Sequence, residues 1–158
     1  MNDTDITFCK ELTDIEQWGY LAQDFKRLIS YEPNGCFVAR KKNERVGMIT
    51  TTSYGGYGFL GSLIVRKDAR RKGIGLKLMK QGIDYLTKNG IKTIELDGVF
   101  PAVMLYRKLG FRDKYLSLRF MRRAEERSHE KPSPRPFSKN VHMIVDFDRE
   151  KTGFTERK

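Results

Sequence analysis

Leu63-Ile64-Val65-Arg66-Lys67-Asp68-Ala69-Arg70-Arg71-Lys72-Gly73-Ile74-Gly75 is the stretch on which the reading of this chain turns. It begins inside an apolar run, Phe59 to Val65, that predicts a central strand covered on both faces. A polar loop, Arg66 to Lys72, follows. From Gly73 the period changes: Ile74, Leu76, Leu78, Met79, Ile83 and Leu86 form the apolar set of a helix closed by Asn89-Gly90. Glycines at a helix start let a ligand approach the backbone with no Cβ in the way. The first helical N–H groups lack internal partners, and with the helix dipole they favour phosphate. Bonds from such N–H groups to charged oxygens contribute about 1.5–3 kcal/mol each, against roughly 0.3–2 kcal/mol from the dipole, so the backbone dominates. Arg70, Arg71 and Lys72 add positive charge at the same place. Taken alone, G-x-G is equally an ordinary strand-to-helix turn. It is not the dinucleotide fingerprint, because Leu78 stands where the third glycine belongs, and the phosphate-loop pattern fails as well.

Working outward, Ile6 to Leu12 reads as a short strand. Thr13 or Asp14 then caps a helix in which Ile15, Trp18, Leu21, Ala22, Phe25, Leu28 and Ile29 recur at helical spacing, ending near Tyr31 before Pro33. Cys36 to Arg40 and Arg45 to Ser53 predict a hairpin. A loose connection, Tyr54 to Gly58, leads to the central strand; its two tyrosines are as consistent with an amine pocket as with plain loop aromatics. Beyond Gly90, Ile91 to Asp97 is a strand, and Ala102 to Leu109 a short helix with Pro101 in its first turn and Gly110 at its end. Tyr115 to Met121 alternates as a strand.

Two of these segments resemble the GNAT acetyltransferase superfamily. Arg70, Gly73 and Gly75 match its R/Q-x-x-G-x-G/A motif. Leu105-Tyr106-Arg107-Lys108-Leu109-Gly110-Phe111 matches its L-Y-x-x-L-G-F motif, after the strand Ile94 to Asp97 and at the expected distance. The resemblance covers roughly residues 6 to 121 and implies an α/β fold with a central mixed, mostly antiparallel sheet flanked by helices and splayed at the acyl-CoA site. It implies that acetyl-CoA lies with its pantetheine along Leu63, Ile64 and Val65 and its phosphates on Arg70, Arg71, Lys72, Gly73, Ile74 and Gly75. An amine acceptor would attack the thioester directly in a ternary complex, with a backbone N–H near Val65 polarising the carbonyl. Tyr106 matches the tyrosine that protonates the departing thiolate, help worth roughly 10²–10⁴-fold. Its other reading is a core aromatic beside Leu105 and Leu109.

The match has departures. Lys67 stands for a common proline and Val99 for an asparagine that touches CoA. Some members carry a glutamate base on the central strand, whereas Phe59 to Val65 holds no acid. Glu95 and Asp97 are the nearest acids and share one face of their strand. Asp97, at the strand's C-terminal end, is the candidate base or acceptor ligand. These departures keep a second reading open, a non-catalytic acyl-CoA-binding module.

The 158 residues favour one domain, residues 1–121, followed by a charged, proline-bearing linker at 122–140 and a tail at 141–158. The tail reads either as the last strand, Val141 to Phe147, or as the opening helix of a second domain of a longer tandem member, with Asp148, Gly153 and Arg157 in a D-x-x-x-x-G-x-x-R relation. The net charge of +11 favours acidic partners, but no stacking or helix-turn-helix motif supports nucleic acid. Two cysteines without paired spacing argue against a disulfide framework or zinc site and make the cytoplasm the default; His129 and His142 have no metal-ligand company. No signal peptide or membrane-length apolar run is visible. A homodimer is left open.

Overall fold

The computed structural model describes residues 1–118, 120 and 141–152. Its N-terminal segment departs from the sequence reading. Ile6, Cys9, Leu12 and Thr13 are buried, and their spacing of three, three and one places them on one helical face. Ile6–Ile15 is accordingly a helix, α1, not a strand. A 3₁₀ turn, Asp3–Asp5, leads directly into it and carries a capping box: Asn2 Oδ1 accepts from the Thr4 N–H at 3.0 Å, and Asp5 Oδ2 from the Asn2 N–H at 3.1 Å. The helix expected to run through to Tyr31 is broken by Gln17 and Gly19, both in the left-handed region at φ 57° and 71°. A second helix, α2, spans Ala22–Tyr31, and the Asp24 carboxylate accepts from the Leu21 N–H at 2.8 Å to begin it. Ile15 and Leu21, both assigned to the buried stripe by spacing, are exposed. Trp18, in the break, still packs on the shared cluster of Ile6, Cys9, Leu12, Phe25, Met48 and Ile64.

The expected hairpin forms from β1, Phe37–Lys41, and β2, Glu44–Tyr54. A third strand, β3, covers Tyr57–Val65 and pairs antiparallel with β2. Helix α3, Ile74–Lys88, then crosses the sheet to β4, Thr93–Leu96, which pairs parallel with β3. The order is β1-β2-β3-β4, a mixed, mostly antiparallel sheet as expected. Its two faces carry two apolar clusters, with Ile49, Leu60, Leu78, Met79, Leu86, Ile91 and Tyr106 on the α3 side.

A bulge explains why β3 reads as a continuous apolar run. Its register with β2 slips between Met48↔Ile64 and Thr50↔Gly61, and Ser62 sits there at φ 50°. Before the bulge, Leu60 faces α3, where a Cβ on Gly82 would stand 2.8 Å from its Cδ2. After it, Ile64 belongs to the α1–α2 cluster. Both faces are therefore served by one short strand.

After β4, a single 3₁₀ turn at Phe100–Ala102, with Pro101 inside it, leads to α4, Val103–Lys108. The strand expected from Tyr115 to Met121 is not formed at residues 115–118 and 120, where Tyr115, Leu116, Leu118 and Phe120 are exposed. Alternation needs a partner edge to become a ladder, and none lies alongside them among the described residues. The tail is a helix, α5, Val141–Thr152, which excludes the strand reading of 141–147. Met143 and Phe147 lie one turn apart on it, with Ile144 three residues before Phe147. Gly153, Arg157, His129 and the linker at 122–140 lie outside the described residues. Among those described, no helix is long and apolar enough to cross a membrane.

Candidate active site

The site is built where β3 outlasts its neighbour. Pairing between β3 and β4 ends at Leu60↔Leu96, while β3 continues through Val65. The N–H of Arg66 still reaches back to the Val46 carbonyl of β2 at 2.9 Å. Alternation along the strand therefore turns the N–H and C=O of Leu63 and Val65 the other way, toward the gap that β4 leaves. Leu63, Ile64 and Val65, where a splay is expected, therefore lie beyond the last residue paired with β4.

The loop after β3 delivers a helix start to the head of this gap. A 3₁₀ turn at Lys67–Ala69 is followed by two left-handed residues, Arg71 at φ 62° and Gly73 at φ 75°. Glycine is the residue for that conformation, and a Cβ added to Gly73 would meet nothing within 4 Å. The cradle is thus open outward. The first intrahelical bond of α3 runs from the Lys77 N–H to the Gly73 carbonyl at 3.1 Å, so the N–H groups of Ile74, Gly75 and Leu76 have no helical acceptor. Gly75 faces inward: a Cβ there would lie 3.8 Å from both Leu105 Cδ2 and Val65 Cγ2, tying the helix start to α4 and to the end of β3.

The cations of the loop are not equivalent. Arg70 donates from Nε to the Val65 carbonyl at 2.8 Å and pairs through Nη2 with Glu16 Oε1 at 2.5 Å, clasping the end of α1 to the end of β3. Lys72 donates to the Asp68 carbonyl at 2.7 Å. Arg66 bridges Glu44 and Asp68, which holds its own pKa up and that of Asp68 down. Arg71 has no side-chain partner among the described residues.

Across the gap, Tyr106 is buried on α4, with its ring packed against Gly98. Its hydroxyl has no hydrogen-bond partner among the described residues, and burial raises its pKa. Asp97, beside Gly98, is exposed. Gly73, Gly75, Val65, Leu105 and Tyr106 thus converge as the sequence motifs lead one to expect, whereas Arg70 has a structural engagement the motif does not reveal.

On the opposite face of the sheet, Tyr57 donates to Glu95 Oε2 at 3.0 Å, and Lys114 donates to Glu95 Oε1 at 2.5 Å. Lys114 holds the Glu95 carboxyl below the usual range, helped by Tyr57 against the opposing effect of desolvation, and desolvation with that hydrogen bond pushes Tyr57 up to about 12. Lys114 escapes sequence reasoning because nothing in its local pattern marks it. Among the described residues no group of histidine, cysteine and carboxylate side chains is placed to hold a metal.

A central strand that outruns its parallel neighbour and feeds a glycine-started helix is the arrangement of the GNAT class of α/β folds. The chain belongs to the acetyltransferase (GNAT) family, whose model matches residues 6–111. It is 23% identical over 141 residues to the holothin acyltransferase of Pseudoalteromonas sp. (strain SANK 73390), a match covering 88% of this chain and 47% of that protein. The chain thus spans about half the length of this curated relative. A Pyrococcus horikoshii crystal structure, provisionally named an acetyltransferase, is similar at 26% identity and a TM-score of 0.65 over 73% of this chain and 42% of its own. AAC(6')-Iy, solved with the bisubstrate analogue CoA-S-monomethyl-acetylneamine, shares the fold at 16% identity and a TM-score of 0.63, over 78% of this chain and 95% of its own.

Proposed function

We propose that this chain transfers an acetyl group from acetyl-CoA to a primary amine, both substrates being bound together. The observation that carries the reading is the run of β3 past its last β4 pair, Leu60↔Leu96, into a helix start with an open left-handed Gly73. The diphosphate of the donor lies on the free N–H groups of Ile74, Gly75 and Leu76, with Arg71 and Lys72 nearby. The pantetheine takes the place β4 vacates, hydrogen-bonding to the gap-facing backbone of Leu63 and to the Val65 N–H, the Val65 carbonyl being held by Arg70. One of those N–H groups receives the carbonyl oxygen as negative charge develops on it.

The neutral amine attacks the thioester carbon, forming C–N as C–S breaks. The departing thiolate takes the phenol proton of Tyr106, the attacking nitrogen loses its extra proton through Asp97 or to water to leave the neutral amide, and the Tyr106 phenolate recovers a proton from solvent. Burial of Tyr106 supports this role, because it keeps the phenol protonated until the thiolate appears.

The test is thermal unfolding with acetyl-CoA, followed by CoA thiol release with a panel of primary amines. Acetyl-CoA at about 100 times Kd stabilises by roughly 2.7 kcal/mol. No shift at millimolar acetyl-CoA would overturn the reading. A shift with no thiol release from any amine would replace it with a binding module that does not turn over.

A further inference from the structure

The helix start of α3 and Tyr106 on α4 lie on one side of the sheet, with the apolar cluster that contains Leu60. A donor held there leaves the opposite side for the acceptor. Residues paired across parallel strands share a face, so Phe59 and Glu95 stand together on that opposite side. Tyr57 joins them by two-residue alternation, and Asp97 follows just beyond the end of β4 as an exposed acid at the edge of the gap. In a chain of net charge +11, two carboxylates thus stand in line toward the gap, near aromatic rings.

Something cationic already sits there. The Lys114 ammonium is on Glu95, 5.9 Å from the centroid of the Tyr115 ring, and the Tyr54 and Tyr57 rings are 6.1 Å apart beside it. Lys114 is 66% exposed and belongs to a stretch without regular structure, so holding it there gains little. Glu95 is only 27% exposed and keeps its second oxygen on the Tyr57 hydroxyl. The better-built half of this ion pair is the seat, and the lysine is a replaceable occupant.

We propose that the acceptor is a diamine, whose distal ammonium displaces Lys114 from Glu95 while its reacting amine reaches the gap beyond Leu60 and Leu96. This rests on the acyl-transfer reading and names its substrate class. Glu95 stands one residue before the end of β4, Leu96, so two residues of strand, about 7 Å at roughly 3.3 Å per residue, separate this seat from the first position past the last β3–β4 pair. The two nitrogens of the acceptor are therefore separated by about that distance, as in a chain of four or five methylenes.

The test uses 1,4-diaminobutane and 1-aminobutane as probes, with binding measured by calorimetry on the CoA-bound protein and on the protein alone. The diamine binds about tenfold more tightly than the monoamine, since one added charge-assisted hydrogen bond in a half-exposed seat contributes on this scale. Glu95→Gln abolishes that preference, and Lys114→Ala strengthens diamine binding up to about fivefold by removing the competing cation. Equal affinity for both probes, or a preference that survives in Glu95→Gln, would overturn the proposal. Both measurements stand without turnover. A protein that prefers the diamine yet binds no CoA would instead overturn the acyl-transfer reading.

Discussion

The ring of Tyr106 lies against Gly98: a Cβ at residue 98 would stand 3.2 Å from its Cε2. The glycine that ends β4's approach to the gap is thus what lets the tyrosine lie flat beside it. If Tyr106 is the acid for the thiolate, Tyr106→Phe keeps this packing, since only the unpartnered hydroxyl is lost. Acetyl-CoA affinity then stays within about twofold while kcat falls roughly 10²-fold or more. Burial raises the Tyr106 pKa, so the phenol is the protonated form at neutral pH and this help is lost only on the alkaline side. Steady-state kinetics with a titrated amine check both, and an unchanged kcat in Tyr106→Phe would withdraw the role.

Gly73 separates two effects that a single substitution would confuse. At φ 75° any side chain is strained, so Gly73→Ala costs about 1–2 kcal/mol of stability. The space around its Cβ is open, so no clash adds to that. Gly73→Glu carries the same strain and places a carboxylate where the donor's phosphates would lie. Both variants melt several degrees lower than the native chain, but only Gly73→Glu loses the shift produced by acetyl-CoA. Equal retention of that shift would remove the phosphates from this helix start.

Arg70 and Arg71 are adjacent and look interchangeable in sequence, yet the structure divides their labour. Arg70 is engaged with Val65 and Glu16, whereas Arg71 has no side-chain partner among the described residues. Arg71→Ala is therefore expected to raise the acetyl-CoA Kd several-fold with an unchanged melting temperature. Arg70→Ala should lower the melting temperature, by an amount that Glu16→Gln reproduces in part because both break one partly exposed pair worth about 1 kcal/mol or less. The reverse assignment in thermal and calorimetric titrations would return Arg70 to the phosphates.

This division marks where sequence stops being informative. The elements from Phe37 to Lys108 were legible because each has a strong local signal: alternation in the hairpin, a period change at Gly73, a glycine after each of the two later helices. The gap was legible only through the motif, since register is a relation between strands. Ile6 to Leu12 was misread because seven residues with apolar Ile6, Phe8, Cys9 and Leu12 fit either period. The signal that decides it, Ile6-Cys9-Leu12-Thr13 behind an Asn2–Asp5 box, counts a cysteine and a threonine as core. Tyr115 to Met121 has the right alternation, yet residues 115–118 and 120 form no strand. The Glu95–Lys114 contact spans nineteen residues, with nothing local to announce it.

The N-terminal helix is held by a charge cluster whose strength follows pH in a determinate direction. Asp5 is 2% exposed; its Oδ1 accepts from Arg40 Nη2 and Arg45 Nε, both at 2.6 Å, and its Oδ2 from the Asn2 N–H. Burial alone would raise its pKa, but the Arg45 and Asn2 hydrogen bonds, with the charges of Arg40 and Arg45, bring it below 3.8. A depressed folded-state pKa means stability that is present above the unfolded value and is lost as pH falls through the folded one. Asp5→Asn keeps the shape and removes the charge, leaving two partly exposed guanidinium groups without a counterion. It is expected to cost about 1–3 kcal/mol at pH 7. The melting temperatures of native chain and variant should therefore differ by several degrees at pH 7 and draw together as acidification protonates Asp5, below the ordinary carboxylate range. A difference that stays constant from pH 7 to pH 2.5 would mean that Asp5 acts through packing and hydrogen-bond geometry, with its charge contributing nothing.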